Sequence, residues 1–162
     1  MSECIELAGF AAAQALCCLF DRIPVPPMAF SRKASGAATV TILPGGTPSQ
    51  IADSGRRWLD ANDNRADDAV VVYDGYVTIA AIKKDALILD LRSYREPIAA
   101  RRMAVPYRPH HHPLGFAVHR PKFIVDAIEG HDTAALIGAF FRGVCTHDCG
   151  CRIWETCVDQ SC

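Results

Sequence analysis

From Asp68 to Tyr107 apolar residues alternate with polar ones almost without interruption. Ala69-Val70-Val71-Val72-Tyr73-Asp74-Gly75-Tyr76-Val77-Thr78-Ile79 is followed by Ala86-Leu87-Ile88-Leu89-Asp90-Leu91 and then by Arg102-Met103-Ala104-Val105-Pro106-Tyr107. A period of two, rich in β-branched and aromatic residues, predicts a sheet with one buried face and one wet one. Positions 71, 73, 75, 77 and 79 keep one phase through Asp74-Gly75, so one long strand with a bulge at Gly75 is expected ahead of a hairpin on the Asp-Gly pair. Lys83-Lys84-Asp85 then serves as the turn that pairs 76–82 with 86–94. A third strand covers 98–107, and Gly115 to His119 supplies a fourth.

Outside this span the period lengthens to that of a helix. Ile5, Leu7, Phe10, Ala13, Leu16, Cys17 and Phe20 recur at three- and four-residue steps, predicting a helix over 3–20 with Ser2 as its N-cap. Prolines at 24, 26 and 27 end it. Residues 31–36 read as a loop, 38–43 as a short strand, and Thr47-Pro48 as the N-cap and first turn of a helix to about Ala61 that buries Ile51, Trp58 and Leu59. Pro121 opens a helical tail with Phe123, Ile124, Ala127 and Ile128 inward. Ala134 to Phe141 follows an Asp132 cap, and a last helix spans 152–159. The expected fold is one α+β domain over 1–162. An antiparallel meander sheet of four to five strands lies within 69–120, a strand-turn-helix unit at 38–61, and a helical tail at 121–160. The N- and C-terminal helices pack on one face.

Composition narrows the class. Half of the 162 residues are apolar and 22% are charged, with a net charge of -1, so a domain of this size can hide roughly 70% of its unfolded surface without staples. That balance argues against a surface built for nucleic acid or anionic lipid. Leu7 to Phe20 is apolar, but Glu3 and Glu6 stand where a secretory signal needs positive charge, and the stretch falls short of the roughly 20 residues of a membrane span. A cytoplasmic chain is expected. Eight cysteines, at 4, 17, 18, 145, 149, 151, 157 and 162, avoid the central sheet altogether, which suits reduced thiols better than a disulfide scaffold.

Four groups of residues carry candidate chemistry. Cys145, His147, Cys149 and Cys151 have the ligand types zinc prefers, but the spacing between Cys149 and Cys151 is too short for a knuckle. Cys149-Gly150-Cys151 also makes a close dithiol, and the simplest expectation is that these small side chains pack the tail. His110, His112 and His119 could meet as three imidazoles around a zinc-activated water; a solvated loop between strands is the simpler expectation. Leu43 to Pro48 joins a strand to a helix N-terminus that could hold an anion, though it lacks the Lys-Ser/Thr ending of a phosphate loop. Between Arg92 and Lys122 seven basic residues face one acid, Glu96, with tyrosines interspersed, a mixture suited to anions through charge and stacking. There is no Gly-x-Ser-x-Gly, no His-Glu-x-x-His and no telling acidic pair.

The function these residues support is a non-catalytic ligand-binding or protein-interaction module. It would use an aromatic and basic sheet surface, Tyr73, Tyr76, Arg101, Arg102, Tyr107 and Arg108, to contact a small anionic or amphipathic ligand or a protein partner. Aromatic residues on that surface suit a homodimer. No cofactor is required. The competing expectation is a small metal-dependent hydrolase or lyase with His110, His112 and His119 holding the metal.

Overall fold

The computed structural model describes residues 1–34, 36, 38–95, 99–124 and 133–159. Its element order is α1 (Ser2–Phe20), β1 (Met28–Arg32), β2 (Thr39–Ile42), α2 (Pro48–Ala61), β3 (Asp68–Ile79), β4 (Ile82–Ser93), β5 (Ala99–Arg108), β6 (Ala117–Val118), β7 (Lys122–Phe123), α3 (Thr133–Cys145) and α4 (Asp148–Cys157). The class is α+β. The described strands form one antiparallel sheet in the order β2-β1-β3-β4-β5-β6, with β7 also paired to β5.

Strand alternation holds where it matters most. Leu87, Leu89 and Leu91 all point into the core formed with α1, α3 and α4, together with Val70, Val72, Met103, Val105, Phe140 and Trp154. The helices of both termini therefore share one face. The opposite face is not wet: α2 lies over it, and Ala69, Val71, Tyr73, Ile88 and Ala104 pack with Leu59 and the half-buried Ile51 and Trp58. The first half of β3 is consequently buried on both sides, and only beyond Asp74 does exposed-inward alternation begin.

β1 escapes sequence reading for the same reason. Met-Ala-Phe-Ser is buried at every position between β2 and β3, so it lacks the alternation of a one-sided strand. Ser31 and Arg32 belong to it rather than to a loop. β2 is the open edge, all four residues exposed, Val40 at 57% and Ile42 at 60%.

No bulge forms at Gly75. It sits in the ladder opposite Ala86, between Asp74↔Leu87 and Tyr76↔Asp85, and an added Cβ there would lie 3.1 Å from Ile88 Cγ1. Glycine relieves side-chain crowding in an unbroken strand. The hairpin turns at Ala80-Ala81, because Ile79 pairs with Ile82, and not at Lys83-Lys84-Asp85. Both alanines hold positive φ, 49° and 66°, the two-residue geometry that Asn-Gly adopts at least cost. The left-handed region disfavours a Cβ by roughly 1–2 kcal/mol. Ala81→Gly is therefore expected to stabilise the protein by about 1 kcal/mol, read as a higher urea midpoint at unchanged slope; an unchanged midpoint would contradict this turn geometry.

Both ends of α1 depart from a simple reading. Met1, not Ser2, is the N-cap, with no side-chain cap bond. At the other end Arg22 takes φ 60° while the Asp21, Arg22 and Ile23 N–H groups reach back to Cys17, Leu19 and Cys18, and Pro24 prevents continuation. At 19 residues α1 is long and apolar enough to cross a membrane by length and composition, but here ten of its residues, Ile5, Leu7 and Leu16 among them, are buried against sheet and helices. α2 starts as expected, with the Thr47–Gln50 capping box. Lys122 and Phe123 form a strand against β5, so Pro121 does not open a helix. The expected inward residues Ala127 and Ile128 and the Asp132 cap lie outside the described residues, as does Cys162. α4 begins at Asp148, earlier than expected, because His147 is its N-cap.

Candidate functional site

The antiparallel register of β4 and β5 sets Asp90 opposite Arg102 and Arg92 opposite Ala100. On the face covered by α2, this gathers charge beside the second core. Arg102 grips Asp90 with two nitrogens, Nε to Oδ1 at 2.5 Å and Nη2 to Oδ2 at 2.9 Å, and the buried Tyr73 hydroxyl donates to the same Oδ2 at 3.2 Å. Burial, and then the Asp90 charge, push the Tyr73 phenol up to about 12, so it remains a donor. The hydrogen bond to Asp90 raises Arg102 further above its ordinary value, keeping it a fixed cation.

Around this pair a cleft of about 230 Å³ is lined by Arg56, Leu59, Asp90, Leu91, Arg92, Ala100, Arg101 and Arg102. Four arginines and one aspartate are among these lining residues. Arg92 reaches outward to Asp60 at 2.7 Å and Arg56 to Asp53 at 2.9 Å. Arg101 is opposite Leu91, a residue of the other core, yet it lines the cleft with Arg102. Its Nη1 donates to the Ala100 carbonyl at 2.8 Å, and it makes no ion pair among the described residues. The Nε atoms of both Arg92 and Arg101 are buried without a hydrogen-bond partner. Buried donors left unmade cost about 1–3 kcal/mol each.

The other residues read from sequence as a binding surface do not converge here. Tyr107 and Arg108 lie about 17 and about 20 Å along β5 from Arg102 at roughly 3.3 Å per residue. Tyr107 donates to Asp74 at 2.8 Å, and its phenol is pushed far up, mainly by burial. Arg108 is a structural clamp, holding the Gly115 carbonyl and Asp159, each at 2.8 Å. Tyr76 is exposed, with Lys83 Nζ 3.8 Å above its ring centroid. Alternation and strand length separate the six residues that sequence proximity grouped.

The histidines divide between two cavities. His110 stacks on Phe116 with ring centroids 4.7 Å apart and contacts the Phe20 carbonyl at 3.0 Å. It lines a cavity of about 470 Å³ with Leu19, Arg22, Ile23 and Phe116. His112 and His119 line another, of about 320 Å³, with Tyr107 and Arg108. His119 is buried against the Asp159 carbonyl at 3.2 Å, and burial lowers its pKa. No group of three His, Cys, Asp or Glu side chains suited to a metal ion occurs among the described residues.

The thiol cluster also splits. Cys145 and Cys151 bring their sulfurs to 2.8 Å on the outside of the α3–α4 turn. His147 turns inward, its Nδ1 accepting the Gly150 N–H at 3.2 Å and its Nε2 meeting Gln14 Oε1 at 3.0 Å. Cys145 is exposed, so it is not the core residue expected. Sequence reading missed Arg56 and the Asp90–Arg102 pairing, since they depend on the position of α2 and on the β4–β5 register, which no local signal announces. No protein-family model, curated protein or solved structure matches this chain.

Proposed function

We propose that this chain is a non-catalytic binding module that holds a small, multiply charged oxyanion such as a phosphate or diphosphate group in the cleft between α2 and β4–β5. The supporting observation is the pair of buried Nε–H groups of Arg92 and Arg101, both without an acceptor, at a cleft lined by four arginines. An anion oxygen entering there supplies what the fold leaves unmade, and guanidinium suits it because its planar donors match phosphate geometry. Asp90 and Tyr73 hold Arg102 in place beforehand, so little side-chain freedom is lost on binding. The lining residues hold no nucleophile beside a base, which supports a binding role over a catalytic one. Nothing in the histidine arrangement favours the hydrolase reading over this one.

Calorimetric titration with inorganic diphosphate tests the proposal. The wild-type chain is expected to bind saturably. Arg101→Gln should weaken binding by about tenfold or more, since a charge-assisted hydrogen bond contributes roughly 1.5–3 kcal/mol. Arg22→Gln, at the unrelated cavity beside Phe116, should leave it unchanged. Absence of binding, or equal affinity in Arg101→Gln, would refute the anion reading.

A further inference from the structure

The turn between α3 and α4 places two sulfurs in near-bonding contact. Cys145 is the last residue of α3 and Cys151 stands in the second turn of α4. Their Sγ atoms lie 2.8 Å apart, with the Cys151 thiol donating to Cys145. That separation exceeds an S–S bond of about 2.05 Å by less than about 1 Å. The backbone carrying them is held independently of either sulfur. Thr146 N–H and Oγ1–H both donate to the Gly143 carbonyl, at 3.2 and 2.7 Å, His147 N–H donates to Val144, and Cys151 N–H donates to His147. His147 caps α4 through Gly150 and anchors it to Gln14 of α1.

The neighbouring thiols are placed differently. Cys149 turns towards α1, where it contacts Cys17 beside His147, whose Nδ1 lies 3.9 Å from the Cys17 sulfur. Burial pushes the Cys17 thiol up to about 12, which keeps it protonated and inert near neutral pH. Of the Cys145–Cys151 pair, Cys145 is exposed and Cys151 half-buried, and the hydrogen bond to Cys145 pushes the Cys151 thiol up to about 11. Sulfur contact singles out this pair, and it is not the Cys149–Cys151 pair that adjacency in sequence suggests.

We propose that Cys145 and Cys151 form a reversible internal disulfide by exchange with a small-molecule disulfide such as oxidised glutathione. Cys145, the exposed sulfur, attacks as thiolate: its sulfur bonds to one glutathione sulfur, the glutathione S–S bond breaks, and one glutathione thiolate leaves. Cys151, as thiolate, then attacks the Cys145 sulfur and expels the second glutathione thiolate. The protons lost by the two cysteines end on the two glutathione thiols. The dithiol is oxidised by two electrons and the small disulfide is reduced by two. The product ties the end of α3 to α4 across the turn, and glutathione in excess reverses it.

Treatment of the folded protein with oxidised glutathione, alkylation of remaining thiols and mass spectrometry of the tryptic peptide spanning 143–152 test this. That peptide contains Cys145, Cys149 and Cys151. The expected wild-type product lacks two hydrogens through a Cys145–Cys151 bond and carries one alkyl group, on Cys149. Cys151→Ser should instead accumulate one glutathione on Cys145, because the second step is lost. Repeating the reaction in guanidinium should remove the preference for Cys145–Cys151 over pairs with Cys149. The proposal is overturned if the wild type retains glutathione on Cys145, if the internal bond involves Cys149, or if all three thiols remain alkylatable.

Discussion

Replacing Gly143 with alanine is expected to lower the unfolding free energy by about 3 kcal/mol, the upper part of the usual overpacking range. α1 and α3 approach backbone to backbone through two reciprocal glycines. A Cβ at Gly143 would fall 1.8 Å from the Glu6 carbonyl oxygen and 3.0 Å from the Phe10 nitrogen, and one at Gly9 would fall 1.9 Å from the Phe140 carbonyl oxygen. Neither obstacle is a side chain that can swing away. The helices must separate, and separation opens the core around Leu7, Phe140 and Trp154. With domain stabilities of about 5–15 kcal/mol, the double variant with Gly9→Ala should be largely unfolded. Gly138, on the same helix, is the control: only Arg142 Nη1 lies within 4 Å of a Cβ there, at 3.9 Å, so Gly138→Ala should stabilise by about 0.5–1 kcal/mol through helix propensity. Urea unfolding monitored by circular dichroism distinguishes these outcomes. A loss below about 1 kcal/mol for Gly143→Ala would show that the helices do not touch in this way.

Asp90→Ala is expected to cost about 2 kcal/mol. Removing one partner of a buried ion pair leaves the other charge uncompensated, at about 3–5 kcal/mol when both are fully buried. Here Asp90 is 15% exposed and Arg102 34%, so solvent screens part of the penalty. The Tyr73 hydroxyl loses its acceptor as well, which adds to the loss. Asp90→Asn preserves one carbonyl acceptor and should cost about half as much. Equilibrium unfolding of the two variants side by side checks the order. Equal stability for Asp90→Ala and wild type would mean that the Arg102–Asp90–Tyr73 group does not hold the β4–β5 ladder to the second core.

The sheet was legible from sequence because β3, β4 and β5 are runs rich in β-branched and apolar residues, although much of β3 and β4 is buried on both faces rather than alternating. The long apolar helix and the Thr47 cap were legible for equally local reasons. Misreadings fall where the local signal is weak or belongs to something else. Asp74-Gly75 looks like a turn or bulge but is continuous strand, while the true turn uses two alanines at positive φ, residues that carry no turn signature. His147 caps α4 although histidine is not among the preferred N-cap residues. β1 lacks alternation because both its faces are buried. The candidate site was half visible. Arg101 and Arg102 could be picked out as basic residues on a strand, but Arg56, Arg92 and Asp90 join them only once α2 covers the sheet and the hairpin fixes the register. Tyr107 and Arg108, by contrast, are engaged by Asp74 and Asp159, far apart in sequence. Such long-range partners leave no periodic trace.

The account depends most on an anion reaching the unpartnered Nε–H groups of Arg92 and Arg101 from the cleft that these two residues line. Nuclear magnetic resonance of the arginine Nε–Hε groups reads them directly. On titration with inorganic diphosphate, the Arg92 and Arg101 signals should move together along one saturable curve, while Arg22 and Arg142 stay in place. If the Arg92 and Arg101 signals do not move, or if all four arginines drift linearly with added salt, the cleft is not an anion site and the proposed function falls with it.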